Sequence, residues 1–283
     1  MNKKEYILIS FVIFIGFLFL GSKININYSK NFSQSEQIAQ QNKLGDFLVV
    51  GEELNYEVSY TFIKLGSIKM KVTDKYYNNG RAIYKTISYI DSYNIPLVSL
   101  HNVFESEIDE DMFSHKFLAS ELINKDWRYT KYILNYSKNR AFMEKGYASR
   151  NYIEMKDTAD LKNKKHQDGL SLFFYARAML YSQKSIDIPV LMNEKSEITT
   201  IKYPCWKDKV DISAVDYPVD VMKFEGRADW VGILGLTGGF SGCFSNDNAR
   251  IPIVARMNVI LGSIYLELKS WNRPGWAPPR ANN

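Results

Sequence analysis

Alternation of apolar and polar residues is the feature that most limits what this chain can fold into. In Leu54-Asn55-Tyr56-Glu57-Val58-Ser59-Tyr60-Thr61-Phe62 one parity carries Leu, Tyr, Val, Tyr and Phe, and the other carries Asn, Glu, Ser and Thr. Successive side chains of a strand point to opposite faces, so this stretch reads as a strand with one face in a core and one in water. After Gly66, Ile68, Met70 and Val72 alternate with Lys69, Lys71 and Thr73, and Asn79-Gly80 is a hairpin signal before the run from Ala82 to Ile90. The pattern continues through 103–108, 117–123, 129–136, 140–144 and 152–155. Short runs joined by tight turns imply an antiparallel meander.

One segment has the helical period instead. Asp168 can cap a helix over about 168–182 whose residues Leu170, Phe173, Phe174, Arg177, Ala178 and Tyr181 share a face. Its other side carries Leu172, Tyr175, Ala176, Met179 and Leu180, and a helix apolar almost all round is a buried one. The expected fold is therefore mainly β: a strongly twisted, curled antiparallel sheet, an open half-barrel, wrapped around this helix. Arg177 is the exception on it, because a buried guanidinium is costly unless paired. Asp247 and Asp229 are the acidic candidates, and snorkelling to the surface is the alternative.

Strands resume at 186–192 and 196–203, a hairpin, then at 209–212, 219–224, 250–261 and 263–271, the last two joined at Leu261-Gly262. Glycines between 232 and 242 suit bulges and close strand approach. The ending from Trp271 to Pro279 cannot extend a ladder, because its prolines lack donors. It is expected to lie across an edge with its tryptophans as plugs.

The N-terminus carries an address. Lys3 and Lys4 precede an uncharged run, Ile7–Leu20, about 21 Å long as a helix and short of a hydrocarbon core of about 30 Å. Residues 1–22 thus read as a signal peptide, with an uncleaved membrane anchor at 7–20 as the alternative, since Leu20-Gly21-Ser22 is a poor cleavage site. Residues 23–45 are a polar linker, too rich in Asn, Gln, Ser and Lys to bury a core, and 46–283 form a single β-rich domain. The expected location is the periplasm or cell envelope. Export permits a disulfide between Cys205 and Cys243; two unpaired thiols are the other reading.

Chemistry is sparse. The net charge of +5 is spread thinly, with Lys162, Lys164 and Lys165 as a solvated cluster, so no nucleic-acid stripe is present. His101, His115 and His166 share no ligand spacing, and His115 beside Asp109, Glu110 and Asp111 reads as a solvated acidic turn rather than a cation site. The glycine-rich stretch lacks a phosphate-loop pattern, and Ser241 lies outside any G-x-S-x-G elbow. No catalytic, metal or cofactor residues are assigned.

Three blocks carry a family resemblance. Cys243-Phe244-Ser245-Asn246-Asp247, then Arg250-Ile251-Pro252-Ile253, then Gly262-Ser263-Ile264 resemble the W-[LF]-S-x-D, R-x-P-[VI], G-S-[VI] succession of the bacterial exported family known as domain of unknown function 3108. Gly51-Glu52-Glu53-Leu54-Asn55-Tyr56 is similar to its G-E-x-L-x-Y start, and Asp168-Gly169-Leu170-Ser171 with Phe173–Arg177 to its helix; Cys243 departs from the family's Trp. The resemblance implies an envelope protein with a curled sheet and no established enzymatic activity. Arg177, Asp247, Arg250, Phe240, Phe244 and Trp271 are singled out for structural roles. With 19 Tyr, 16 Phe and 5 Trp, the chain is expected to bind a lipid or other amphiphile, or to act as a scaffold for an envelope protein or polysaccharide.

Overall fold

The alternating runs pair into one antiparallel sheet of fifteen strands in the computed structural model, which describes residues 45–95, 99–231, 236–259 and 262–282. The export segment, the linker up to residue 44, the glycines at 232 and 235, and Leu261 of the last turn lie outside the described residues. Strands β1 (Glu53–Tyr60), β2 (Ile63–Asn78), β3 (Arg81–Ser92), β4 (His101–Asp109), β5 (Ser114–Ile123), β6 (Asp126–Asn135), β7 (Arg140–Tyr147) and β8 (Tyr152–Asp160) form a meander. Helix α1 (Ser171–Ala178) follows, then β9 (Ser185–Met192), β10 (Lys195–Lys202), β11 (Lys207–Val210), β12 (Val219–Ala228), β13 (Leu236–Ser245), β14 (Pro252–Val259) and β15 (Ser263–Asn272). The spatial order is β8-β7-β6-β5-β4-β3-β2-β1-β15-β14-β13-β12-β10-β9, with β11 also on β12. First and last strands are therefore neighbours, and the sheet ends at β8 and β9 without closing into a barrel.

Because neighbours run antiparallel, the β1–β2, β3–β4, β5–β6, β7–β8, β9–β10, β12–β13 and β14–β15 connections fall at one end, the turn end. Gly45, α1, the tail after β15 and the remaining connections fall at the other, the terminus end. The β2–β3 hairpin has Asn79 at φ 50° and Gly80 at φ 79°, the two left-handed residues its tight turn requires.

Leu54, Tyr56 and Val58 of β1 face inward and are buried, as the alternation predicts. Leu54 and Tyr56 join a core that includes Ile108, Phe117, Tyr132 and Met143 from the meander and Phe174, Tyr175 and Ala176 from α1. The helix is shorter than 168–182. Asp168 Oδ1 accepts from the N–H groups of Leu170 at 2.7 Å and Ser171 at 2.8 Å, which starts it, and Arg250 Nη1 takes the Ala178 carbonyl at 2.7 Å, which ends it. Among the described residues no helix is long and apolar enough to cross a membrane.

Between β8 and α1 the chain crosses to the far edge. Gln167 N–H donates to Pro189 O and Leu191 N–H to Gln167 O, both at 2.8 Å, while Ser114 N–H donates to His166 O at 3.2 Å. This crossover ties β5 to β9 and covers the β9 edge, which Pro189 also interrupts.

The glycine-rich stretch adds a strand to those expected, and of the two readings of the cysteines the unpaired one holds. The glycine-rich stretch contributes a strand, β13, that alternation could not reveal because glycine has no side chain to alternate. A Cβ on Gly242 would stand 2.6 Å from Val254 O and 2.8 Å from the Phe224 ring, so the backbones approach only as glycine allows. Cys205 and Cys243 are free thiols, both half-buried.

Candidate functional site

Residues selected from distant parts of the sequence converge at the terminus end. Arg177, on the last turn of α1, is 1% exposed. Its Nη1 donates to Glu52 Oε1 at 2.7 Å and its Nη2 to Glu52 Oε2 at 3.1 Å, a two-pronged pair. Nη2 also reaches Ala249 O at 3.0 Å and Nε reaches Arg250 O at 3.2 Å, and the guanidinium lies 4.7 Å from the Phe47 ring. Arg273, from the tail, completes the cluster by donating to Glu52 Oε2 and, at 2.9 Å, to Phe47 O.

Arg177 is thus buried and paired, but with neither acid named from the sequence. Asp229 pairs with Arg227 on the surface. Asp247 organises the β13–β14 connection instead: its Oδ1 accepts from Ser245 Oγ and the N–H groups of Ala249 and Arg250, at 2.8, 2.9 and 3.0 Å. That grip holds Arg250 at φ 50° and aims its carbonyl at Arg177. The true partner, Glu52, had a legible signal: it shares the parity of Leu54, Tyr56 and Val58, so it is a carboxylate on an inward-facing row. Burial alone would raise its pKa, but Arg177 and then Arg273 hold it below the usual carboxylate range.

Trp271 joins the same region through the tail. Its Nε1 donates to Trp276 O at 3.0 Å, the two rings meet edge-on at 5.4 Å, and Trp276 Nε1 donates to Asp247 Oδ2 at 2.7 Å. The tail therefore crosses the ends of interior strands, bridging Val219 at Arg280, rather than a sheet edge. Every oxygen of Glu52 and Asp247 has its donors, so this assembly is a latch locking helix, tail and sheet.

A second buried acid fixes the start of α1. Asp168, 0% exposed, also accepts from Ser106 Oγ of β4 at 2.5 Å; burial raises its carboxyl despite these bonds. His166 beside it is buried, with Nδ1 on Lys164 O at 3.1 Å and Nε2 on Ser196 Oγ at 2.8 Å, and burial lowers its pKa. The turn at His115 is solvated only in part: Asp111 is 51% exposed, but Asp109 is 0% exposed, paired with His115 Nε2 at 3.0 Å and Arg81 at 3.3 Å. Among the described residues no group of three metal-type ligands converges.

Phe240 and Phe244 lie elsewhere, on β13. Phe244 is buried and stacks on Phe224 at 4.6 Å, and Phe240 is half-buried at 6.3 Å from Phe224. Phe240 lies toward the turn end, where the inward face carries a second apolar cluster, linked to the main core through Ile68. Val58, Ile264 and Leu266 are its buried centre, and Tyr60, Leu65, Ile68, Ala255, Met257 and Val259 pack on it while remaining partly exposed. Its chemistry suits an alkyl chain or an apolar ring, and it is the candidate binding face. A distinct groove of about 210 Å³ is lined by Trp206, Lys223, Glu225, Ser241, Arg256 and Tyr265, among others.

A family model described as "Protein of unknown function (DUF3108)" matches residues 55–269. No curated protein matches the chain. Among solved structures, the chain is similar to a β-barrel-like protein of the domain of unknown function DUF1849 from Brucella abortus, at 12% identity and a TM-score of 0.47, covering 78% of this chain and 96% of that one. It is also similar to a protein assigned to export, with a YmcC-like fold, from Bacteroides fragilis, at 8% identity and a TM-score of 0.35, covering 80% and 97%.

Proposed function

The chain belongs to the DUF3108 family, and we propose that it is a non-catalytic protein of the cell envelope that holds a lipid or other amphiphile on the concave face of its half-barrel. The second apolar cluster carries this reading. Six of its side chains stay partly exposed, although one of them, Ile68, also packs on the main core. Apolar surface left open on a concave face is a binding face by default, because covering it gains about 25 cal/mol per Å². Alkyl chains need no polar partner there, and a headgroup would project past Tyr60 toward the turn end. The envelope location rests on the charged start and short apolar run of residues 1–22.

Native mass spectrometry of protein purified from its own envelope tests the reading. Co-purifying lipid, lost or reduced when Met257 and Leu266 are both changed to Gln, is the expected result. Consistently bare protein overturns it. A polysaccharide partner is the second reading, favoured by the Trp206–Tyr265 groove, where aromatic faces sit among charged and hydroxyl groups. Protection of Trp206 fluorescence from quenching by envelope glycans, but not by lipid, would select it.

A further inference from the structure

The turn end shows solvent an unusual combination of groups. Phe62, at the tip of the β1–β2 hairpin, is 91% exposed, and Ile63 beside it is 39% exposed. Tyr93 N–H donates to Leu65 O at 2.9 Å, which sets the exposed Tyr93 against the same hairpin. Tyr152 and Ile153, where β8 leaves its turn, and Val231 after β12 are exposed as well. Single exposed apolar residues are ordinary, but a set gathered around one rim marks a contact surface.

Two ion pairs at this rim are ordered in depth, while a third, Arg128–Glu154, is not, at 32% and 41% exposed. Lys64 is 66% exposed whereas its partner Glu57 is 16% exposed, and Arg150 is 66% exposed whereas its partner Asp126 is 9% exposed. Lys125, in the β5–β6 turn, is exposed too. In the two ordered pairs the cationic heads stand outward while the carboxylates that hold them sit back in the sheet. The exposed Arg227–Asp229 pair is neutral. Apolar tips among outward cations complement a surface with an anionic headgroup layer over hydrocarbon.

We propose that the turn end docks on an anionic lipid bilayer, with Phe62 entering the boundary between headgroups and acyl chains and Lys64, Lys125 and Arg150 meeting the headgroups. This goes beyond ligand binding: a bilayer can be engaged whether or not the concave face carries an amphiphile, so either proposal can fail alone. Its consequence is an orientation, since Gly45 leaves the body at the opposite end.

The test must read the rim itself, because residues 7–20 of the full chain are apolar and can hold it to vesicles. Phe62→Cys, in a chain with Cys205→Ser and Cys243→Ser, receives an environment-sensitive label, and Glu110→Cys at the terminus end serves as control. On vesicles of phosphatidylethanolamine and phosphatidylglycerol, the label at 62 should shift to the blue. Brominated acyl chains should quench it several-fold more than the label at 110. Lys64→Glu and Arg150→Glu should each weaken that signal roughly fivefold, and salt should weaken it further. An aqueous spectrum at 62, equal quenching at both sites, or no association with the vesicles overturns the proposal. Should the serine background misfold, the difference spectrum of Phe62→Trp in the otherwise unchanged chain gives the same readout.

Discussion

The two ends of the sheet use the same strands for opposite purposes. At the terminus end the interior is filled: Arg177 of α1 and Arg273 of the tail are both bound to Glu52, and both carboxylate oxygens of Glu52 and of Asp247 accept hydrogen bonds. At the turn end the same inward rows run on as a buried trio, Val58, Ile264 and Leu266, ringed by apolar side chains that stay partly exposed. A polar network is stable only when complete, because each orphaned buried group costs energy, whereas an apolar face loses only the gain from burial when left open. The closed end is therefore the one built from charge and the open end the one built from hydrocarbon.

The sharpest way to break this contrast is to empty the latch. Glu52→Ala should cost about 3–5 kcal/mol by leaving Arg177 and Arg273 buried without a counter-charge, with a fall in melting temperature on the order of 10 °C. Arg177→Met leaves Glu52 with Arg273 and should cost less; unchanged thermal stability would argue against a buried pair. Truncations to alanine compare the ends directly. Leu268→Ala, fully buried beside Tyr56, should cost about 2–5 kcal/mol in a denaturant titration, and Met257→Ala, on the open face, about 1 kcal/mol or less. A larger loss at Met257 would mean that the open face is covered after all.

Acid should separate the ends as well. The folded-state pKa of Glu52 lies below its ordinary 4.5, so the unfolded chain binds the extra proton. Its contribution is present above pH 4.5 and is lost as pH falls through the folded value. Glu52→Gln should flatten this part of the stability–pH curve, measured by urea unfolding between about pH 5 and 3. The smallest effect belongs to the rim: Phe62→Ser should change stability by no more than about 0.5 kcal/mol, because so exposed a side chain supports no packing.

Much of the fold was legible in residue order. The parity of Leu54, Tyr56 and Val58 assigns an inner face, Asn79-Gly80 a tight turn, and the uninterrupted apolarity of α1 a buried helix. Strand β13 was not legible, since Gly238, Gly239 and Gly242 leave no pattern; Gly242 is required by the Phe224 ring and the Val254 carbonyl beside it, and Gly238 by its φ of 73°. The latch was half legible. Arg177 announced a need for a partner, and Glu52 stood on an inward row, yet a contact between positions 125 residues apart has no local signature.

By itself, then, the sequence determined the strand period, the turns, the helix and the short apolar N-terminal run, all consequences of which neighbours a side chain has along the chain. The tertiary structure decided what those elements meet. It chose Glu52 over Asp247 for Arg177, put Asp247 to work on its own loop and on Trp276, and left the two thiols apart. It also placed β1 beside β15, which gathers Val58, Ile264 and Leu266 into a face that no single segment contains. Pairing across the fold depends on the curvature and register of the whole sheet, and those are set by packing rather than by any local run of residues.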